Sequence, residues 1–294
     1  MRQDMPEDME QQRYDPARIV SRKGWALAYD GGMTPYATIQ YDDSTPPLGR
    51  ITLDRPDKRN PITPLTVGEI LHALDRVSGD EGIRVVVLTG AGKVFSAGGD
   101  LGAMAGTSTG AGESPAKPRP FVELFPAMHA LGKPIVAMVN GHALAGGLGL
   151  MVACDLVLAS EEAQFGLTEI DVGLWPMMIT AEIVRNIGRK HTLELMLTGK
   201  RISAAEARAI GLVNHVVPGS ELESTTMALC QELAARSPAA VALGLRAFYG
   251  SQDMDLEPGL AFLQGELGKV LSLEDAREGI MAFLQKRRPV WKGR

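Results

Sequence analysis

At 294 residues, 45% hydrophobic and 22% charged, the chain has the length and composition of a soluble globular protein with one large domain or two modest ones. Its net charge of −5 leaves no case for nucleic acid as the main partner, and no apolar run reaches the ~20 residues of a membrane span. Two cysteines, Cys154 and Cys230, exclude a disulfide framework and fit a reducing compartment, the cytoplasm.

Residues 1–33 are polar, of mixed charge and weakly periodic, and read as an extension that Trp25 could anchor. They hold no apolar segment of a secretory signal, and their acids argue against a transit peptide. Residues 36–41 and 50–53 read as strands around the turn-rich stretch 42–47. The charged segment 55–60 reads as a loop. Thr63 or Thr66 can cap a helix to about Val77, with Val67, Ile70, Leu71 and Leu74 on one face. Residues 85–88 form a strand that leads into the glycines of Ala97-Gly98-Gly99-Asp100. The small-residue stretch 102–120 reads as a mobile flap or a plain loop, and a short helix follows at 121–131.

Residues 135–139 are an apolar strand, followed by Asn140-Gly141, the small residues Ala143, Ala145, Gly146 and Gly147, and an apolar helical run at 148–154. Another strand is expected at 155–159, and a loop at 165–175 carries Glu169 and Asp171. Helices follow at 179–187, 192–197 and 204–210, with Ser203 as N-cap and Gly211 as the stop. A last strand at 212–217 precedes helices at 221–236, 239–249, 260–271 and 275–287. Strands alternating with helices and then helices alone indicate an α/β body with a helical C-terminal part; spacing alone leads to an open doubly wound sheet.

The two glycine turns, at 97–100 and 145–147, share one grammar of strand, glycines and helix start. Such a turn leaves backbone N–H groups without helical partners and lets another molecule approach closely. Two of them can each give one N–H to a single oxygen that gains negative charge during a reaction, which makes an oxyanion hole.

On these turns and on ITLDRPDKRNPIT (51–63), VVVLTGAGKVFSAGGDL (85–101), KPIVAMVNGHALAGG (133–147), CDLVLASEEAQFGLTEIDVGLWP (154–176), LTGKRISAAEARAIGLVNHVV (197–217) and EGIMAFLQKRRP (278–289), the chain resembles the enoyl-CoA hydratase/isomerase (crotonase) family. The resemblance runs from about Ala37 to the C-terminus. It implies an α/β spiral of ββα turns over 34–217 and a helical trimerisation region over 218–294. It also implies an acyl-CoA thioester substrate, no cofactor beyond that coenzyme A, and a homotrimer or dimer of trimers.

By position in the family motif, the Gly99 and Gly146 amides are the oxyanion donors and Glu169 is the acid/base. The resemblance further assigns coenzyme A or substrate contacts to Lys58, Arg59, Ala97, Gly98, Asp100, Leu101, Trp175, Phe283 and Lys286. Several of these have plainer readings: loop 55–60 as a solvated loop, Trp175 with Met177 and Met178 as core packing, and 286–288 as a solvated helix end. His142 reads as structural, and the scattered histidines give no metal site.

Hydratases of the family carry a second glutamate three residues after the second donor, and here that position is Gly149. One base suffices to take a proton at C2 and return it at C4, so Gly149 with Glu169 resembles the isomerase pattern. On an extended segment Asp171 would face the same way as Glu169 and supply a second acid. Hydration, dehydration or thioester hydrolysis through Asp171 or an ordered water then stands as an alternative, as does a non-catalytic acyl-CoA binder.

Overall fold

The computed structural model describes residues 35–104 and 114–294. The expected N-terminal extension, Trp25 included, and the middle of the expected flap lie outside the described residues.

β1 (Ile39–Thr45) and β2 (Leu48–Leu53) pair antiparallel around Pro46-Pro47, so the turn is shorter and the strands longer than the sequence indicates. A charged loop then leads to α1 (Pro64–Gly79). Its N-cap Thr63 accepts a hydrogen bond from the Thr66 N–H, and its apolar stripe of Val67, Ile70, Leu74 and Val77 is buried.

The chain next repeats one unit three times: a strand in a large sheet, a short strand in a small sheet, then a helix. The first unit is β3 (Val85–Gly90), β4 (Val94–Ser96) and α2 (Leu101–Met104). After α3 (Leu124–Ala130) comes the second, β5 (Ile135–Val139), β6 (His142–Leu144) and α4 (Gly146–Val152). The third is β7 (Leu156–Ser160), β8 (Gln164–Gly166) and α5 (Met177–Thr198), the last kinked at Gly188. β9 (Arg201–Ser203), α6 (Ala204–Ala209) and β10 (His215–Val217) close the spiral, with the Ser203–Glu206 capping box starting α6.

The large sheet has the order β1-β2-β3-β5-β7-β10 and the small one β4-β6-β8-β9. The open doubly wound sheet suggested by spacing alone is therefore corrected to the two-sheet spiral. β3 and β5 are buried along their whole length, which is why residues 85–88 and 135–139 are continuous apolar runs rather than alternating ones.

Four helices complete the chain: α7 (Leu222–Ala234), α8 (Pro238–Ser251), α9 (Leu256–Ser272) and α10 (Glu274–Leu284). α8 is tied to the body by the Tyr249 hydroxyl, which donates to Asp155 at 2.6 Å while Asp155 accepts the Ile135 N–H. The His129 ring stacks on Tyr249 with centroids 4.0 Å apart. Buried Asp275 accepts from the Ser237 hydroxyl and from the Lys292 and Gly293 amides, fastening the chain end to the start of α8. Among the described residues no helix is long and apolar enough to cross a membrane.

Candidate active site

β4, β6 and β8 are adjacent and parallel, so their C-terminal ends lie along one edge of the small sheet. β4 runs into Gly98-Gly99, β6 into Ala145-Gly146, and β8 into the segment that bears Glu169. Ligands of parallel sheets gather at such strand ends. The fold thus brings together three pieces separated by nearly fifty residues in one case and more than twenty in the other.

The two glycine turns abut. A methyl group added to Gly146 would sit 3.8 Å from the Gly99 nitrogen, and one added to Gly98 would meet the Gly146 nitrogen at 3.1 Å. Ile62 bridges to Gly99 in parallel fashion, its N–H donating to the Gly98 carbonyl at 2.8 Å. In a parallel bridge the Gly99 N–H then points away from Ile62. Gly146 is the first residue of α4, where an N–H has no helical acceptor. Among the described residues neither amide has a protein acceptor. Ala145 holds φ 51° and ψ −130°, a conformation that costs a non-glycine residue about 1–3 kcal/mol, and its N–H donates to Gly166 at the end of β8. Backbone strain therefore sits beside the second donor.

Glu169 lies on a 3-10 helix, Thr168–Val172, stopped by Gly173 in the left-handed region. Its Oε2 is buried with no hydrogen-bond partner. Burial raises the carboxyl above the usual carboxylate range, partly offset by a hydrogen bond from its own backbone. The extended segment expected around Asp171 is corrected here. At three residues per turn, positions two apart on a 3-10 helix point about 120° apart. Asp171 is exposed, and its Oδ1 lies 2.7 Å from where a Gly199 Cβ would be, at the far end of α5. It does not share a face with Glu169.

Gly149 is buried and has no room for a side chain: a Cβ there would fall 2.1 Å from Ile179 Cγ2 and 2.6 Å from Ile179 Cβ. Trp175 is half-buried and packs against the main core, while Met177 and Met178 are 69% and 50% exposed. His142 accepts from the Gln164 N–H, a strand-to-strand role.

Lys58 and Arg59 are exposed on a 3-10 turn, Pro56–Lys58. That loop is bound to the first glycine turn, since the Ala97 N–H donates to the Arg59 carbonyl and the Ser96 hydroxyl to the Asn60 carbonyl. Asn60, in the left-handed region at φ 53°, is buried; its Nδ2 donates to the Ala91, Val94 and Phe95 carbonyls and its Oδ1 accepts from the Arg55 N–H. Within the charged loop 55–60 the sequence marks Asn60 only by the Asn-Pro turn signal, not by these hydrogen bonds. Asp100 is half-buried and Leu101 exposed just beyond Gly99. Phe283 is 83% exposed near the end of α10, and Lys286 is exposed two residues past it.

The family model for enoyl-CoA hydratase/isomerase matches residues 45–294. The chain belongs to the enoyl-CoA hydratase/isomerase family. The 2,3-dehydroadipyl-CoA hydratase of Escherichia coli K12 is 36% identical over 245 residues, 83% of this chain and 94% of that one. The carnitinyl-CoA dehydratase of Salmonella typhi is 37% identical over 263 residues, covering 84% and 96%. Among solved structures, enoyl-CoA hydratase subunit I of Geobacillus kaustophilus superimposes with a TM-score of 0.80 at 34% identity, covering 89% of this chain and all of that one.

Proposed function

We propose that this protein shifts the double bond of an enoyl-CoA from C3–C4 to C2–C3, with Glu169 as the single proton carrier. The Glu169 carboxylate takes a proton from C2. The C–H electron pair moves into the C1–C2 bond, and negative charge collects on the thioester oxygen, where the Gly99 and Gly146 amides stabilise it. Protonated Glu169 then delivers the same proton to C4 as the C2–C3 double bond forms and the charge leaves the oxygen. Atoms and charge balance without a cofactor, and coenzyme A enters only as part of the substrate. Lys58 and Arg59 offer cations to its phosphates.

The observation that carries this reading is a carboxylate with one buried, unpartnered oxygen on the same sheet edge as two free amides, with glycine where a second carboxylate would stand. Hydration is the second reading, favoured by the names of the relatives. Incubation with a 3-enoyl-CoA and, separately, a 2-enoyl-CoA separates the two. Isomerisation leaves the mass unchanged and creates conjugated absorbance. Hydration adds the mass of one water and removes that absorbance. Turnover of neither substrate, together with tight binding of CoA esters, would leave the non-catalytic reading.

The reading extends to assembly as a trimer or dimer of trimers. Leu256, Leu260, Leu263, Leu267 and Leu271 recur every three or four residues on α9 and are all exposed, an apolar stripe left uncovered among the described residues. Light scattering at micromolar concentration should give three or six times the chain mass, and a monomer would refute it.

A further inference from the structure

We infer that Ile179 is a specificity-determining residue: its side chain fills the space beside Gly149 that a second carboxylate would need, and so restricts the site to single-base chemistry. The inference rests on the proposed isomerase reading and adds a residue that the sequence reading did not consider.

Gly149 lies three residues beyond the Gly146 donor on α4, about 4.5 Å along the axis and about 60° around it. A side chain at 149 would therefore start beneath the oxyanion hole and extend from that face of the helix. The space is already taken. The Ile179 Cγ2 and Cβ atoms stand 2.1 and 2.6 Å from a Cβ built on Gly149, and Ile179 is 3% exposed. These are the branched root of the side chain, not its far end, and a β-branched residue in a helix has one strongly preferred χ1. No rotation of Ile179 clears its own Cβ.

The backbone beneath Ile179 is also held. The Thr180 hydroxyl donates to the Pro176 carbonyl at 2.5 Å, and the Met177 N–H donates to the Trp175 carbonyl at 2.8 Å. One turn on, Glu182 lies 3.5 Å from His129 Nε2, both side chains largely buried. The start of α5 is thus fixed against α3, and Ile179 is pressed onto α4. A residue larger than glycine at 149 requires a smaller one at 179.

The test compares the wild type with Gly149→Glu, Ile179→Ala and the double variant. It reads melting temperature, isomerisation of a 3-enoyl-CoA, and hydration of a 2-enoyl-CoA by mass. Gly149→Glu alone should melt at least about 5 °C lower. Adding Ile179→Ala should recover most of that loss and raise hydration at least ~10-fold over the wild type. Ile179→Ala alone should lower the melting temperature without adding hydration. Should Gly149→Glu fail to fold, Gly149→Ala with and without Ile179→Ala measures the same steric coupling.

The inference is overturned if either substitution at 149 leaves the melting temperature of the wild type, or if Ile179→Ala gives it no rescue. It is also overturned if the rescued double variant hydrates no faster than the wild type. Failure of the wild type to isomerise would count against the isomerase reading alone, because the melting data judge the Gly149–Ile179 coupling independently.

Discussion

Glu169→Gln should lower isomerase turnover by at least ~10²-fold, the usual scale of a positioned acid–base group, while affinity for CoA esters stays within a few-fold. Glutamine keeps the shape and the hydrogen-bonding edge but cannot carry the proton from C2 to C4. The burial that leaves Oε2 without a partner also raises the carboxyl, which suits a group that must both take and return a proton. Two consequences follow for pH. The base works ionised, so the acid limb of the kcat profile should lie above the ordinary glutamate range of ~4.3 and vanish in the variant. A carboxyl raised in the folded state contributes stability at low pH that is lost as pH rises through its folded value, because ionisation then occurs in a poorly solvated site. Glutamine escapes that loss, so the variant should melt no lower than the wild type at neutral pH. Turnover within three-fold of the wild type would remove Glu169 from the mechanism. Asp171 is then a poor successor, since it is exposed and turned toward Gly199.

Much of this fold is legible because the central large-sheet strands β3, β5 and β7 are mostly apolar and its helices carry local punctuation: Thr63 before α1, and Ser203 with Glu206 at α6. The small sheet was not legible. β4, β6, β8 and β9 are three residues each, too short for an alternating pattern to register, and their partners are distant in sequence. Yet this sheet assembles the site, so the glycine turns and Glu169 could be named from their motifs while their common edge could not. The loop expected at 165–175 takes in the end of β8 and the 3-10 helix after it, and that helix sets the direction of Asp171. Ile179 shows the same limit. Nothing local to it or to Gly149 tells that they meet; only packing of α5 on α4 does. Asn60 could have been found, because an asparagine before proline within a charged loop suggests a turn, but its hydrogen bonds reach residues more than thirty positions away.

Gly98→Ala should lower turnover by at least ~10²-fold through the oxyanion hole, without touching any acid or base. Gly98 holds φ 94°, which alanine adopts only under strain, and the new methyl would fall 2.6 Å from the Ala145 Cβ and 3.1 Å from the Leu144 carbonyl oxygen. Ala145 is itself strained and fixed to Gly166, so it cannot yield freely. One of the two turns must move, and each carries a donor. Loss of a single oxyanion donor lowers turnover by about 10²–10³-fold. Strain and overpacking together should cost about 1–3 kcal/mol of stability, a fall of roughly 3–10 °C in melting temperature for a chain of this size. Substrate affinity should weaken far less than turnover, because the hole acts on charge that appears after binding. Gly244→Ala serves as the control: its added methyl, within helix α8, meets nothing within 4 Å, and activity should be unchanged. A folded Gly98→Ala protein that keeps turnover within about three-fold of the wild type would count against the amides of Gly99 and Gly146 as holders of the enolate oxygen, since the methyl does not fit between the two turns as they stand.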